Sequence, residues 1–157
     1  MNTDASERRA AITAEIVDRT GIDDAMIARL VSAFYEKVRH DPMLGPVFDQ
    51  RVANWPRHLE RMCAFWSSVA LMSGVYHGQP MAKHVGLPVD ARHFDRWLSL
   101  FRATATEVCP PRAADHFIRR AQSIAQSLEA GVAAQLGIGL ANGERLRRPD
   151  REVVLPD

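Results

Sequence analysis

The feature that most constrains this fold is a helix of about two turns, bounded by proline and glycine, with a histidine near its end. In GQPMAKHVGLPVDARHFDRW (residues 78–97), Pro80 suits a first helical turn, because its fixed φ fits and its missing N–H would lack a partner. Gly86 offers a left-handed stop, and Pro88 prevents continuation. One ring nitrogen of His84 can therefore donate to the Pro80 carbonyl while the other points away, as in metal-binding histidines.

Apolar periodicity elsewhere predicts helices and an all-α fold. The strongest pattern, AMIARLVSAFYEKVRH, has apolar residues at positions 27, 30, 31, 34, 35 and 38, one face of a helix capped by Asp23 or Asp24. The other predicted helices are residues 5–18, about Asn54 to Met72 with Pro56 in the first turn, Asp90 to about Val108, and Pro110 or Pro111 to about Leu136. The segment MLGPVF, which finishes on Phe48, is predicted to be a turn-rich connection.

Length and composition indicate one globular domain with an extension at each end. The chain has 157 residues, of which 46% are hydrophobic and 25% are charged, as in ordinary globular proteins. We expect residues 1–20 to be an N-terminal helical extension and residues 21–136 to be the domain. Residues 137–157 are rich in glycine, proline and mutually cancelling charges, so we expect a mobile or loosely docked tail.

Charge and hydropathy argue against several classes of partner. The net charge of +1 gives no reason to expect nucleic acid or an anionic membrane as a partner. No apolar run approaches the roughly 20 residues of a membrane span, and the N-terminus lacks the apolar core of a signal peptide. Cys63 and Cys109 form no CxxC motif, which is typical of free thiols in a cytoplasmic protein.

Polar side chains on apolar helix faces are the candidate functional residues. Tyr35 lies on the inner stripe of its helix, and Trp97 lies in the middle of another stripe. His58 and Met62 are four residues apart and share a face, with Phe65 nearby. Each also has an ordinary interpretation: a rim tyrosine with its hydroxyl in water, a core tryptophan and a structural histidine.

The wider histidine pattern favours none of the common hydrolytic or nucleotide sites. Six histidines occur without an HExxH pair, and the chain has no phosphate-binding glycine loop and no GxSxG elbow. His93, at a helix start, is expected to face solvent. His84 follows His58 by 26 residues and could face it across an apolar slot into which Tyr35 and Trp97 bring donors. Such a slot describes a haem site for a diatomic ligand.

Four segments resemble the group III branch of the truncated haemoglobins. They are LVSAFYEKVRHDPMLGPVF (30–48), the W-P-R-H run ending at His58, AFWSSVALMSGVYHGQPMAKHVGLP (64–88) and HFDRWLSLF (93–101). With the last helix they cover about residues 22–135. The third helix also lacks double-glycine pairs near its start, which fits this branch.

The resemblance implies a shortened globin fold, a two-over-two helical sandwich around haem b (iron protoporphyrin IX). His84 matches the proximal iron ligand. Tyr35 matches the distal tyrosine, Trp97 the distal-pocket tryptophan, and His58 the distal histidine, which is often a gate in this branch. Donors at Tyr35 and Trp97 would stabilise a ligand that accepts negative charge.

The same resemblance implies the lining of the cofactor pocket. Phe48 matches the phenylalanine that packs on the porphyrin, and Phe65 falls in the same pocket. Met62 stands where the family usually has a branched aliphatic residue, which leaves the pocket apolar but more deformable. Lys83, Arg57 and Arg61 are all candidates to pair with the haem propionates.

The implied function is binding of O₂, NO, CO, cyanide or peroxide at a five-coordinate iron. Fixed donors suit tight holding or ligand chemistry, such as NO dioxygenation or peroxide reduction, better than bulk O₂ delivery. Because the sequence shows no flavin or reductase domain, repeated redox turnover would need an external reductase. Two alternatives remain. One is a haem-based sensor or electron-transfer protein that docks through its tail, which predicts either a ligand-dependent change in tail protection or iron held by both His58 and His84. The other is a cofactor-free helical scaffold.

Overall fold

The computed structural model describes residues 3–84 and 86–148, and within these residues it contains seven helices and no strand. The helices are α1 (Thr3–Thr20), α2 (Asp24–His40), α3 (Gly45–Arg51), α4 (Trp55–Leu71), α5 (Pro80–His84), α6 (Ala91–Val108) and α7 (Pro111–Gln135). The predicted all-α fold is confirmed. Within the described residues, no helix is both long enough and apolar enough to cross a bilayer.

Side-chain caps begin α2, α4 and α6, close to the helix starts that the sequence predicts. Asp23 accepts the Met26 N–H at 2.8 Å at the start of α2, and Asn54 accepts the Arg57 N–H at 3.1 Å at the start of α4.

The cap of α6 corrects one expectation. Asp90 begins this helix with a reciprocal capping box, in which the Asp90 N–H donates to Nδ1 of His93 at 3.1 Å. His93 is therefore a half-buried cap rather than a solvent-facing side chain.

The prediction that MLGPVF is a turn-rich connection is wrong in part, because residues 45–51 form α3. Pro46 occupies the first turn of this helix, a position that proline favours as much as it favours turns. Gly45 is buried, and a Cβ there would lie 2.8 Å from the carbonyl oxygen of Arg39, so only glycine allows this approach to the end of α2. Asp41 accepts the Leu44 N–H at 3.0 Å and binds Arg96 at 2.7 Å, which ties this corner to α6.

Helix α2 is the centre of the core, because it packs on α3, α4 and α6, while α6 packs on α7. Phe34, Trp66, Phe101 and Phe117 are all at most 1% exposed. Trp66 stacks on Phe101 with their centroids 4.7 Å apart, which joins α4 to α6 through side chains. The core therefore fixes the helices that carry Tyr35, His58 and Trp97.

The end of α4 is fastened by helices that are distant in sequence. The Thr13 hydroxyl of α1 donates to the Leu71 carbonyl at 2.5 Å, and Nε2 of His116 in α7 lies 2.8 Å from the Ala70 carbonyl. These carbonyls are among those that a helix end leaves without intrahelical partners. Helix α1 is therefore attached to the domain at this point.

Residues 140–148, here called the C-terminal strap, lie across α6 and α7. Leu146 is fully buried in an apolar cluster with Val89, Phe94 and Val132. These contacts are more specific than the loose docking that composition suggests for the tail. Residues 149–157 of the predicted tail lie outside the described residues.

Candidate functional site

Helix α5 holds His84 in the arrangement that the sequence predicts. Nδ1 of His84 lies 2.6 Å from the carbonyl oxygen of Pro80, one turn earlier. Because a carbonyl only accepts, Nδ1 carries the proton and donates, which leaves the lone pair of Nε2 for another partner. Gly86, at φ +82°, follows the helix in the left-handed region. This hydrogen-bond prediction is confirmed.

Helix α5 packs against a glycine of α7. Of the helices in the described chain, α5 packs against α7 alone. A Cβ at Gly131 would overlap the sulfur of Met81, so the glycine makes room for the methionine side chain of α5. No residue of α5 is buried, and His84 itself is half-buried. The position of His84 therefore depends on a small contact area.

Four rings from α2, α3 and α4 form the His58 aromatic cluster, which consists of Tyr35, Phe48, Trp55 and His58. The rings of Tyr35 and His58 meet edge to face with their centroids 5.1 Å apart. Phe48 lies 5.8 Å from Tyr35, and Trp55 lies 5.4 Å from His58. The structure thus brings three of the predicted site residues, Tyr35, Phe48 and His58, into direct contact.

Burial shifts the pKa values of the two titratable members of this cluster, Tyr35 and His58. Tyr35 is 4% exposed, and burial, with a smaller effect from Tyr76, raises the pKa of its phenol far above the usual range. Burial also lowers the pKa of His58, and the positive charges of Arg61 and Lys83 lower it further. At neutral pH Tyr35 is therefore a protonated donor and His58 is a neutral imidazole.

His58 also supplies the most direct sign of a ligand. Its Nε2 atom is buried and has no hydrogen-bond partner within the described part of the chain. Leaving a buried polar atom unpaired costs about 1–3 kcal/mol, so native proteins rarely do so without a reason. The atom fits a site that receives a polar or metal-bound ligand.

Trp97 lies one ring away from the His58 aromatic cluster. Its indole stacks on Phe101 at 5.6 Å and meets Phe34 edge to face at 5.5 Å. Phe34 in turn contacts Tyr35 at 5.0 Å. Tyr35 and Trp97 therefore flank the same phenylalanine, and Trp97 is half-buried.

Met62 and Phe65 continue the apolar surface of α4. Both are half-buried and pack against the main core, and Met62 lies one turn after His58. The ring of Phe65 meets Tyr76 edge to face at 5.3 Å. These side chains give α4 an apolar face that is only partly covered by the described polypeptide.

Two neighbours of the site were missed by sequence reasoning. Trp55 stacks with Phe48, and the guanidinium carbon of Arg39 lies 4.5 Å from the centre of its indole ring. Its position directly after the cap Asn54 was the available signal. Tyr76 follows α4 in a loop, where its N–H donates to the Ser68 hydroxyl at 2.9 Å, and no local sequence pattern indicates that contact.

Comparison with known proteins decides the family. Residues 15–129 match the model of the bacterial-like globin family. A group 3 truncated haemoglobin of Campylobacter jejuni is 35% identical over 113 residues, which is 69% of this chain and 89% of that protein. This chain is a truncated haemoglobin of the group III branch. The resemblance found in the sequence is thus confirmed.

Other similar proteins agree with this family. The crystal structure of the group III truncated haemoglobin from C. jejuni superposes with a TM-score of 0.64 at 33% identity, covering 78% of this chain and 95% of the other. A group 2 truncated haemoglobin of Bacillus subtilis is 28% identical over 83 residues, 52% of this chain and 63% of that protein. Membership of the truncated haemoglobins implies a haem cofactor and binding of small gas ligands. The free Nε2 of His84 and the unpaired Nε2 of His58 fit such a cofactor.

Proposed function

We propose that this truncated haemoglobin binds haem b through Nε2 of His84 and holds a small ligand on the side of Tyr35 and His58. The observation that carries the proposal is the hydrogen bond from His84 Nδ1 to the Pro80 carbonyl, which fixes the tautomer and directs the other nitrogen away from its own backbone. When bound, five-coordinate haem iron supplies one open coordination position for O₂, NO, CO, cyanide or peroxide.

The polypeptide supplies donors and an apolar lining for that ligand. The Tyr35 phenol stays protonated at neutral pH because it is buried, so its hydroxyl can donate a hydrogen bond to the ligand. Trp97 supplies a second N–H, and neutral His58 acts as a gate. Phe48, together with Met62 and Phe65, lines the cofactor pocket and excludes water.

Fixed donors at the ligand position favour retention over release. Each hydrogen bond to the ligand contributes about 0.5–1.5 kcal/mol, and more where the ligand carries charge. We therefore propose tight binding or ligand chemistry, such as NO dioxygenation or peroxide reduction, with electrons from an external reductase. Bulk O₂ delivery suits this pocket less well.

One observation favours a second function, that of a haem-based sensor or electron-transfer protein. The lowered pKa favours a neutral His58, which with its proton on Nδ1 would offer the buried, unpaired Nε2 as a second ligand to the iron. Iron held by both His58 and His84 would have no open position. Such a protein would transfer electrons or respond only when His58 leaves.

The absorption spectrum of the purified protein, before and after haem addition, tests both functions. We expect an intense Soret band that moves when CO is added to the reduced wild type. His84→Ala should weaken or change this band, and added imidazole should restore it. His77→Ala is the matched control, because His77 is exposed in the loop before α5.

Two results would contradict the proposal. A wild type that takes up no haem would leave a helical scaffold without the cofactor, and an unchanged spectrum in His84→Ala would remove His84 as the ligand. His58→Ala separates the two functions. It leaves the reduced spectrum unchanged if the iron is five-coordinate, and it abolishes a six-coordinate spectrum if His58 is the second ligand.

A further inference from the structure

The loop that follows α5 directly continues the backbone of His84. The Leu87 N–H donates to the His84 carbonyl at 3.3 Å, and the Val89 N–H donates to the Leu87 carbonyl at 2.9 Å. Between His84 and Leu87, Gly86 turns the chain at positive φ. Leu87 is therefore hydrogen-bonded directly to the residue that carries the imidazole.

Hydrogen bonds join the C-terminal strap to this loop and to its junction with α6. A guanidinium nitrogen of Arg148 donates to the Leu87 carbonyl at 2.9 Å, and the Arg148 N–H donates to the Asp90 carboxylate at 3.3 Å. The Ala91 N–H donates to the Leu146 carbonyl at 2.8 Å. These bonds tie the loop to the strap.

The strap is also anchored on α6 and α7. Arg145 binds Glu129 of α7 at 2.9 Å and Asp95 of α6 at 2.7 Å, so it clamps both helices. The side chain of Glu129 is 7% exposed, and both of its carboxylate oxygens accept from Nε of Arg145, at 3.1 and 2.9 Å. Leu146 adds a fully buried apolar anchor beside it.

We propose that the C-terminal strap positions His84, with Arg148 as the positioning residue that acts through Leu87. The hydrogen bonds form one continuous path, from the Arg148 guanidinium to the Leu87 carbonyl and from the Leu87 N–H to the His84 carbonyl. The match to the family model ends at residue 129, so the strap lies outside the region shared with that model. The inference rests on the proposed role of His84 as the haem ligand.

A set of variants at two adjacent arginines tests this inference in the full chain. Arg148→Ala removes the donor to Leu87, and Arg147→Ala removes the same charge from an exposed neighbour. Arg148→Lys retains one donor and should rescue in part. Amide hydrogen exchange at Leu87 and Ala91, measured before and after haem addition, reports the loop. Resonance Raman scattering of the reduced, haem-loaded protein reports the iron–histidine stretching frequency.

We expect exchange at Leu87 and Ala91 to become about tenfold faster in Arg148→Ala, the effect of losing about 1.4 kcal/mol of local stability. The iron–histidine frequency should shift in the same variant. Arg147→Ala should match the wild type in both measurements. Core amides of Phe34 and Phe117 should keep their protection, because the strap does not touch them.

The outcomes separate this inference from the proposed function. If the wild type carries haem on His84 but Arg148→Ala behaves like Arg147→Ala, the strap does not position the ligand. If exchange accelerates equally at the core amides, Arg148 stabilises the whole fold and the positioning role is wrong. If the wild type takes up no haem, the proposed function fails, and local exchange at Leu87 still decides whether the strap fixes the loop.

Discussion

Around His58, aromatic rings pack edge to face and α2 alone buries seven residues, whereas α5, which carries His84, buries none. The first region is held by apolar area removed from water, which contributes much and requires little directional precision. The second is held by a few hydrogen bonds and one glycine contact, which contribute little but fix direction. Substitutions should therefore change stability in the first region and geometry in the second.

The largest expected effect is loss of a core ring. Trp66 is 1% exposed and stacks on Phe101, so Trp66→Ala should lower the free energy of unfolding by about 3–5 kcal/mol. Urea unfolding of the haem-free protein measures this loss. Met81→Ala on α5 is the comparison, and it should cost under about 1 kcal/mol because Met81 is 36% exposed. Equal losses would show that α5 belongs to the same core.

The second largest effect is expected from acid, which should lower the free energy of unfolding through Asp90, a residue that binds the strap. Burial alone would raise the pKa of Asp90, but hydrogen bonds from Arg92 and from the Arg148 N–H lower it to about 2. Because this pKa lies below the unfolded value of about 3.9, Asp90 stabilises the fold above about pH 4 and loses that effect as the pH falls towards 2. The loss should be about 2 kcal/mol.

The urea midpoint as a function of pH checks this prediction. In Asp90→Asn the midpoint should change less between pH 4 and pH 2 than in the wild type, since asparagine caps the helix without a charge. Asp4→Asn serves as the control, because its carboxylate is exposed in the pair with Arg8. A wild-type curve as flat as that of Asp90→Asn would remove the role of the carboxylate.

A smaller effect, on the ligand rather than on the fold, is expected at Tyr35. If Tyr35 is the main donor, Tyr35→Phe should raise the O₂ dissociation rate by about tenfold, equivalent to about 1.4 kcal/mol. Stopped-flow displacement of O₂ by CO measures the rate. An unchanged rate, with a large change in Trp97→Phe, would transfer the role to Trp97. Unfolding free energy should be almost unaffected, because the ring is retained.

The last and smallest effect is expected where α5 packs on Gly131. Gly131→Ala adds a methyl group where the Met81 sulfur lies, which displaces that flexible side chain and the helix with it. Alanine gains up to about 1 kcal/mol of helix propensity over glycine, so the free energy of unfolding should change by less than about 1 kcal/mol. Faster amide exchange confined to residues 81–84 would reveal the displacement. Unchanged exchange there would show that Met81 alone adapts.

Local sequence rules predicted the parts of this fold that depend on neighbouring residues. The caps Asp23 and Asp90 and the bond from His84 to Pro80 join groups no more than four residues apart. Such contacts follow from residue type and spacing alone. Family resemblance then added the roles of Tyr35, Trp97 and His58, which remain proposals.

Contacts between distant residues were beyond local rules. In the sequence Gly45 is typical of a turn, and only the structure shows that it allows close approach of the Arg39 carbonyl. Pro46 is equally suitable for a turn or a first helical turn. The strap has no periodicity, so its composition indicated a loose tail, although Leu146 is fully buried. Whether Leu146 is buried and whether Arg145 is paired depends on the surface that α6 and α7 present, which local sequence does not show.

The reach of the strap also has a consequence for the order of assembly. Arg148 and Leu87 are 61 residues apart in the chain, and Thr13 and Leu71 are 58 apart. Contacts of such separation, like that between Phe34 and Phe101 in the core, pay loop-closure entropy and form after local helices have been made, but Arg148 is synthesised after every residue of that core. During synthesis the aromatic core can form while the C-terminal residues are still missing. We therefore expect the support of the His84 loop to be the last part of the site to mature.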